Sequence, residues 1–199
     1  MPMTKLILDL CYLFIAMLAL VVILLAIDLY VLYMIIRPRF PSMHVSSATV
    51  SSLSITQNEE LTATFDVTVV ILNPNTNLSL SYNRLGMAVL FGPRTVATAT
   101  VRAFSQQAGT ETTVRTRFTV TRKLFPGGVV RAMAEQRARG SVDFGLTVET
   151  RVKFWWRGFF HTRARSFTFE CFPVHVIFPS GVLHGGSGSI VTPSDFYLV

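Results

Sequence analysis

The first long segment of the chain is almost entirely apolar. Residues 6–36 read LILDLCYLFIAMLALVVILLAIDLYVLYMII, and Asp9 and Asp28 are their only charged side chains. A bilayer hydrocarbon core of about 30 Å needs about 20 apolar residues in a helix that rises about 1.5 Å per residue. The segment is therefore long enough to cross a membrane once. Arg37-Pro38-Arg39 follows it instead of a small-residue cleavage site, which favours an uncleaved anchor over a signal peptide.

Asp28 near the end of this segment has two interpretations. It could lie at the membrane interface, with the apolar residues after it accommodated by a tilt of the helix. Alternatively, it could lie inside the bilayer and contact a partner helix, because intramembrane acids mark interaction sites. The flanking charges bear only weakly on orientation. Lys5 precedes the segment and Arg37 and Arg39 follow it, so the positive-inside rule by itself favours a cytosolic C-terminal domain.

After residue 40 the hydrophobic pattern changes to a period of two. In residues 61–72, LTATFDVTVVIL, the odd positions are apolar and the even positions begin with threonine and aspartate. Residues 112–121 and 141–154 alternate in the same way. This alternation is typical of antiparallel strands with one buried and one solvated face.

The remaining pattern predicts the fold class. Residues 129–139, VVRAMAEQRAR, form the one segment that favours a helix, and Gly140 is a natural stop for it. About seven short strands separated by turns and accompanied by one short helix predict an all-β fold, an immunoglobulin/fibronectin-like β-sandwich. The predicted organisation is a short cytosolic N-terminus (1–5), a transmembrane anchor (6–36), a linker (37–44), the β-sandwich (45–178) and a loose Gly/Ser/Pro-rich C-terminal tail (179–199).

Charge adds a candidate binding surface. The formal net charge is +7, with 18 basic and 11 acidic residues. The alternation places several basic residues on one face of their strands, and these define a predicted basic surface: Arg115, Arg117, Arg151, Lys153, Arg157 and Arg163. This surface is either a solvated sheet face with paired acids or a site for anionic lipid head groups or acidic polysaccharide. Nucleic acid is not expected, because base-stacking aromatic residues are not interleaved with the basic runs.

Aromatic residues are concentrated in the sequence FWWRGFF at 154–160. One interpretation packs them inside the sandwich. The other exposes Trp155, Trp156, Phe159 and Phe160 as a patch that contacts the membrane or a partner.

The sequence contains no constellation that predicts catalysis. The four histidines are scattered without the spacing of metal ligands, and no glycine-rich phosphate loop or nucleophile elbow is present. Cys171 is the only cysteine after the anchor, so the domain cannot form an internal disulfide. We therefore expect neither enzymatic activity nor a cofactor.

The sequence Asn73-Pro74-Asn75 predicts the end of a strand. Proline cannot donate a hydrogen bond to a sheet, and asparagine accepts the backbone conformations of turns. Asn77-Leu78-Ser79, directly after it, is an N-glycosylation sequon, which favours an exposed site in a secretory compartment.

Three segments resemble the plant late embryogenesis abundant group 2 family, and within it the membrane-anchored harpin-induced-like (NHL) branch. The first is NPNTNLSLSY at 73–82, in which Tyr82 follows the Asn-Pro-Asn strand end. The second, at 103–114, carries Phe104, Gln106, Thr112 and Thr113, whereas Gln107 stands where the family often has glycine. The third, at 146–171, carries Val148, Arg151, Phe154, Gly158 and Cys171.

This resemblance implies a single-pass type II protein of the plasma membrane, with residues 1–5 in the cytosol and the domain outside the cell. The implied orientation outweighs the weak charge signal. The implied role lies in plant defence and stress responses, through binding to partner proteins, to like subunits, to anionic lipid or to a cell-wall polymer. Two alternatives stay open: a lipid-binding or lipid-transfer domain at the membrane, and an accessory subunit that packs on a larger membrane complex through Asp28.

Overall fold

The computed structural model describes residues 2–56, 59–156, 160–178, 187–190 and 194–199, and the chain divides into two compact units, Met1–Pro38 and Arg39–Val199. The first unit contains helix α1 (Pro2–Ile36). Its segment Ile7–Val31 has a mean hydropathy of 3.1 and is long and apolar enough to cross a membrane, although a signal sequence would satisfy the same criterion. The large apolar side chains of this segment are 48–71% exposed, so α1 is a candidate membrane span that needs an apolar environment.

The second unit is a β domain. In the described residues seven strands have eight or more residues: β1 (Ser42–Ile55), β2 (Glu60–Leu72), β3 (Leu78–Phe91), β4 (Arg94–Val101), β6 (Glu111–Leu124), β7 (Ser141–Trp156) and β9 (Arg165–Ile177). Five are shorter: β5 (Phe104–Gln106), β8 (Phe160–His161), β10 (Gly188–Ile190), β11 (Ser194–Asp195) and β12 (Tyr197–Leu198). Helix α2 (Gly127–Ala138) connects β6 to β7.

The strands form one continuous sheet in the order β4-β3-β7-β9-β10-β1-β2-β6. Strands β4, β3, β7 and β9 make one layer, strands β1, β2 and β6 make the other, and β10 joins them by pairing with both β9 and β1. Lys123 of β6 donates a hydrogen bond to the carbonyl oxygen of Val96 on β4 at 3.1 Å, so the sheet nearly closes into a barrel. The predicted all-β sandwich with about seven main strands is confirmed.

The core lies between the two layers. On β2 every odd position from Leu61 to Ile71 is buried, as the alternation predicts. Phe65 of β2 meets Phe144 of β7 edge to face, with ring centroids 5.2 Å apart. The side chains with less than 2% exposure include three large aromatic rings, those of Tyr82, Phe118 and Phe154. Large side chains therefore occupy the interior between the layers.

Helix α2 lies close to its predicted position, 129–139. Its termination follows the expected mechanism, because Gly140 has a φ of +93° and its N–H donates to the carbonyl oxygen of Arg137 at 2.9 Å. Met133 is buried, and the Gln136 side chain accepts a hydrogen bond from the backbone N–H of Asp143 on β7 at 2.9 Å. The helix is thus fixed against the start of β7.

The prediction of a loose C-terminal tail is wrong for the described residues. β10 pairs with β1 and β9, and β12 pairs with β9. β11 pairs with His44 and Val45, so the start of β1 also belongs to the sheet and not to a linker. Phe196 is 9% exposed, and its N–H donates to the carbonyl oxygen of Met43 at 3.1 Å. Strands of two or three residues are too short for any alternation to show in the sequence.

Candidate functional site

The Asn-Pro-Asn segment forms a buried polar cluster at the end of β2. Asn73 is fully buried, and its side-chain nitrogen donates to the carbonyl oxygens of Leu78 at 2.8 Å and Gln107 at 2.9 Å. Its side-chain oxygen accepts hydrogen bonds from the backbone N–H of Asn75 at 3.1 Å and from the Asn75 side chain at 2.9 Å. Half-buried Pro74 lies between the two asparagines, where the chain leaves β2. The hydrogen bond from Asn73 to Leu78 connects this point to the start of β3.

Asn75 connects this cluster to the first residue of the domain. Its side-chain nitrogen donates to the carbonyl oxygen of Arg39 at 2.8 Å, and its side-chain oxygen accepts from the backbone N–H of Arg39 at 2.7 Å. In the sequence, only Arg37 and Pro38 separate Arg39 from Ile36, the last residue of α1. Asn75 therefore fixes the chain where it enters the β domain.

Gln106 on β5 extends the cluster. Its side-chain nitrogen donates to the carbonyl oxygens of Ile71 at 2.8 Å and Thr110 at 2.7 Å. Its side-chain oxygen accepts from the Tyr82 hydroxyl at 3.1 Å, and burial raises the pKa of that hydroxyl. The Phe104 ring stacks on the Tyr82 ring with centroids 4.5 Å apart. The motif residues thus come together as a closed structural unit whose polar groups bind one another.

The basic residues that the sequence assigns to one surface are divided between the two layers. Arg115 and Arg117 lie on the outer face of β6, and Arg151 and Lys153 lie on the outer face of β7, while Arg163 follows β8 and Arg157 is outside the described residues. In the sheet order β6 and β7 are not neighbours, and the binding role of these basic residues stays a prediction.

The β6 part of the predicted surface is partly neutralised. The Arg117 guanidinium donates to the Asp66 carboxylate at 2.6 Å, and this hydrogen bond, with the attraction of the charges, raises the pKa of Arg117. Both side chains are exposed, so the pair contributes little to stability.

The outer face of the β4-β3-β7-β9 layer contains a groove of about 980 Å³. Gly86 and Ala88 of β3 form the middle of its floor, and their cross-strand partners on β7 are Glu149 and Thr147. Hydroxyl side chains surround this floor: Thr95, Thr98, Thr100, Thr147, Ser166 and Thr168.

A β-bulge places Arg84 in the groove. The buried positions of β3 are even up to Tyr82 and odd from Leu85 onward, so Asn83 and Arg84 are both exposed between them. On β7 the Thr150 hydroxyl donates to the carbonyl oxygen of Arg84 at 3.0 Å and so satisfies a backbone oxygen at the bulge. This shift in alternation turns Arg84 toward the outer face.

Arg84 and Arg151 are direct cross-strand partners in the groove. The Nε–H of Arg151 donates a hydrogen bond to the Ser166 hydroxyl at 3.3 Å. In the part of the chain that the structure describes, the arginine ion pairs involve Arg117, Arg122 and Arg131, and neither groove arginine is in one. Like charges directly opposite each other destabilise a sheet. The groove therefore offers two guanidinium groups without a carboxylate partner.

The predicted aromatic patch is described only in part. Trp155 is half-buried and stacks on His161 with ring centroids 4.9 Å apart. Trp156 is also half-buried. Phe159 lies outside the described residues, as does the side chain of Phe160. Contact of this aromatic patch with a membrane or a partner stays a prediction.

Two further predicted sites are exposed. Asn77 lies in the bend before β3 with its side chain open to solvent, and Asp28 lies on α1 within the candidate span. Glycosylation of Asn77 and an intramembrane contact of Asp28 stay predictions. Among the described residues, no group of three or more His, Cys, Asp or Glu side chains is arranged to hold a metal ion.

Comparison with known proteins identifies the family. The profile of the family described as "Late embryogenesis abundant protein" matches residues 68–171, from within β2 to within β9. This segment is more than half of the chain. The chain belongs to the late embryogenesis abundant family. The resemblance is thus confirmed at the level of the family, and the assignment to the harpin-induced-like branch stays a prediction.

One relative of this late embryogenesis abundant protein is an uncharacterized protein of Arabidopsis thaliana. The two are 22% identical over 165 residues, which cover 81% of this chain and 73% of the relative. Among solved structures, a protein from Archaeoglobus fulgidus matches 63% of this chain and 93% of its own length with a TM-score of 0.33 and 9% identity. A likeness at that level does not bear on the fold or the function.

The family segment of this late embryogenesis abundant protein contains most of the buried amide cluster and all of the residues that line the groove. Sequence reasoning identified Arg151 but missed Arg84, Gly86 and Glu149. A signal for Arg84 was present, because the apolar alternation of β3 changes phase at Asn83-Arg84. The pairing of Arg84 with Arg151 could not be inferred, because the alternation within β3 shows neither which strand pairs with β3 nor the register of that pairing.

Proposed function

We propose that this late embryogenesis abundant protein is a single-pass type II protein of the plant plasma membrane. Its β domain lies outside the cell and acts in stress and defence responses by binding and not by catalysis. The observation that carries the proposal is α1, whose large apolar side chains from Ile7 to Val31 are at least 48% exposed. Apolar surface on this scale is stable in a bilayer and not in water.

Binding at the surface of the domain is supported by the structure of the groove. The groove is open to solvent and presents arginine, hydroxyl and carboxylate groups together. Lipid transfer would instead need an apolar cavity for an acyl chain, whereas Tyr82, Phe118 and Phe154 fill the interior. Surface binding is therefore favoured over lipid transfer.

The non-cytosolic orientation is supported by the family resemblance and by Asn77. The side chain of Asn77 is exposed at a bend, where an oligosaccharyl transferase could reach it. Asn77 can be glycosylated only if the domain enters the secretory pathway.

The three lysines make a direct test of orientation. Lys5 precedes the candidate span, while Lys123 and Lys153 belong to the β domain. A membrane-impermeant amine-reactive biotin reagent, applied to intact protoplasts, should label the wild-type chain and the Lys5→Arg variant. The double variant Lys123→Arg/Lys153→Arg should not be labelled, although it keeps its charge. Labelling that depends on Lys5, or that appears only after lysis, would contradict the proposal.

A further inference from the structure

We infer that the groove on the outer face of β3 and β7 is a binding site for an acidic polysaccharide of the uronate type, with Arg84 and Arg151 binding its carboxylate groups. This inference rests on the proposed binding function and adds the site and the class of ligand.

The arrangement of charge is the first argument. Arg84 and Arg151 face each other directly on neighbouring strands, and neither is in an ion pair within the described residues. Their repulsion is a cost of the unliganded sheet. An anion between them removes that cost, and a guanidinium binds a carboxylate through two parallel hydrogen bonds. The pair is thus suited to a carboxylate of a ligand.

The shape of the groove is the second argument. Its floor is low because Gly86 has no side chain, and a Cβ at this position would meet only the Glu149 carbonyl oxygen, at 3.8 Å. A chain-like ligand can lie along a concave face and contact this floor. A bilayer surface is broad and flat, so its head groups cannot reach the floor in the same way. The shape therefore favours a polymer chain over a membrane.

The remaining polar groups are the third argument. Thr98 and Thr100 on β4 and Thr168 on β9 can each donate and accept hydrogen bonds, and all three line the groove. Glu149 is an acceptor that would repel a ligand bearing only anionic groups. A uronate polymer carries both kinds of group that the groove can bind. Each sugar has hydroxyl donors for Glu149 beside a carboxylate for the arginines.

The test uses the full chain in nanodiscs of neutral phosphatidylcholine. Isothermal titration calorimetry at about 0.1 M salt, where the Debye length is about 10 Å, measures binding of oligogalacturonate. We expect Arg84→Ser and Arg151→Ser each to weaken binding about tenfold or more, the loss typical of a charged hydrogen-bonded contact. The matched control, Arg115→Ser/Arg117→Ser, removes two charges from β6 and should change affinity less than about twofold.

A second variant tests the shape without altering the charge. Gly86→Val fills the floor, and its Cβ would meet only the Glu149 carbonyl oxygen, at 3.8 Å. Because valine favours strands, we expect an unchanged or raised thermal midpoint together with loss of oligogalacturonate binding. Unaltered binding in Gly86→Val would place the ligand elsewhere and overturn the inference.

Two further ligands distinguish an acidic polysaccharide from a neutral one and from an anionic membrane. Neutral dextran should not bind, and anionic phosphatidylserine vesicles should bind no better to the wild type than to Arg84→Ser. Preferential loss of vesicle binding in Arg84→Ser, or equal loss of oligogalacturonate binding in the β6 control, would overturn the inference. Either result leaves the lysine-labelling test of orientation intact, so failure of the site and failure of the proposed function are separable.

Discussion

At the scale of single residues, buried amides hold the chain at the end of β2. Asn73 has no exposed surface and makes four hydrogen bonds through its side chain. In a buried setting each lost bond leaves a polar group without a partner, and this costs more than the bond itself contributes. The motif is therefore explained by folding and not by ligand binding.

We predict that Asn73→Ala lowers the free energy of unfolding by about 3 kcal/mol, because it removes four hydrogen bonds and leaves the buried backbone N–H of Asn75 without its acceptor. The matched control is Asn77→Ala in the same turn, where the side chain is exposed and the change should stay within about 0.5 kcal/mol. Urea denaturation followed by tryptophan fluorescence measures both. Equal effects of the two substitutions would show that the buried cluster does not stabilise the fold.

Two buried titratable groups predict how stability depends on pH. Burial, together with the charge of Asp195, raises the pKa of the Cys171 thiol from 9.0 to about 11, while a hydrogen bond with Ser194 opposes this shift. Burial also raises the pKa of Tyr82. The unfolded chain therefore releases these protons at lower pH than the folded chain does.

The free energy of unfolding should accordingly be highest below about pH 9 and should fall as the pH rises toward about 11. Cys171→Ala should make this fall less steep, whereas Cys11→Ala should not, since Cys11 is outside the β domain. Urea midpoints measured from pH 8 to 11 test the prediction. A slope that Cys171→Ala leaves unaltered would exclude the thiol as a cause.

At the scale of elements, the long strands followed from the sequence and the short ones did not. β2 was evident because six apolar residues occupy its odd positions and polar residues occupy the even positions from Glu60 to Thr68. β10 has three residues, Gly188, Ser189 and Ile190, and no pattern to read. It nevertheless joins the two layers, because it pairs with both β1 and β9.

Gly188 gives β10 a testable role. A Cβ at this position would lie 2.8 Å from a Val176 methyl carbon and 2.9 Å from the Ile177 carbonyl oxygen. Gly188→Ala should therefore lower the free energy of unfolding by about 2 kcal/mol and speed amide hydrogen exchange at the β10 pairings with β1 and β9. Gly128→Ala, where a Cβ meets nothing within 4 Å, should instead stabilise α2 by about 0.5–1 kcal/mol.

At the scale of the whole molecule, the sheet order decided what the sequence could not. The alternation correctly assigned Arg117 and Arg151 to the outer faces of their strands. It could not show that β6 and β7 lie in different layers of the domain. The groove depends on the same long-range pairing, together with a bulge that reorients Arg84.

The orientation of the molecule predicts a modification. If the domain enters the secretory pathway, the full chain expressed in plant cells should carry a glycan at Asn77. Peptide-N-glycosidase A or F should then increase its electrophoretic mobility, and Asn77→Gln should migrate like the treated wild type. Asn83→Gln, which changes an exposed asparagine outside any sequon, is the matched control.

The most direct test of the central claim is protease protection of a C-terminally tagged full chain in sealed, carbonate-washed endoplasmic-reticulum microsomes. A membrane-anchored chain with a lumenal domain predicts that the tag stays with the membranes and survives protease until detergent is added. Release of the chain into the carbonate wash, or loss of the tag from sealed vesicles, would contradict the account.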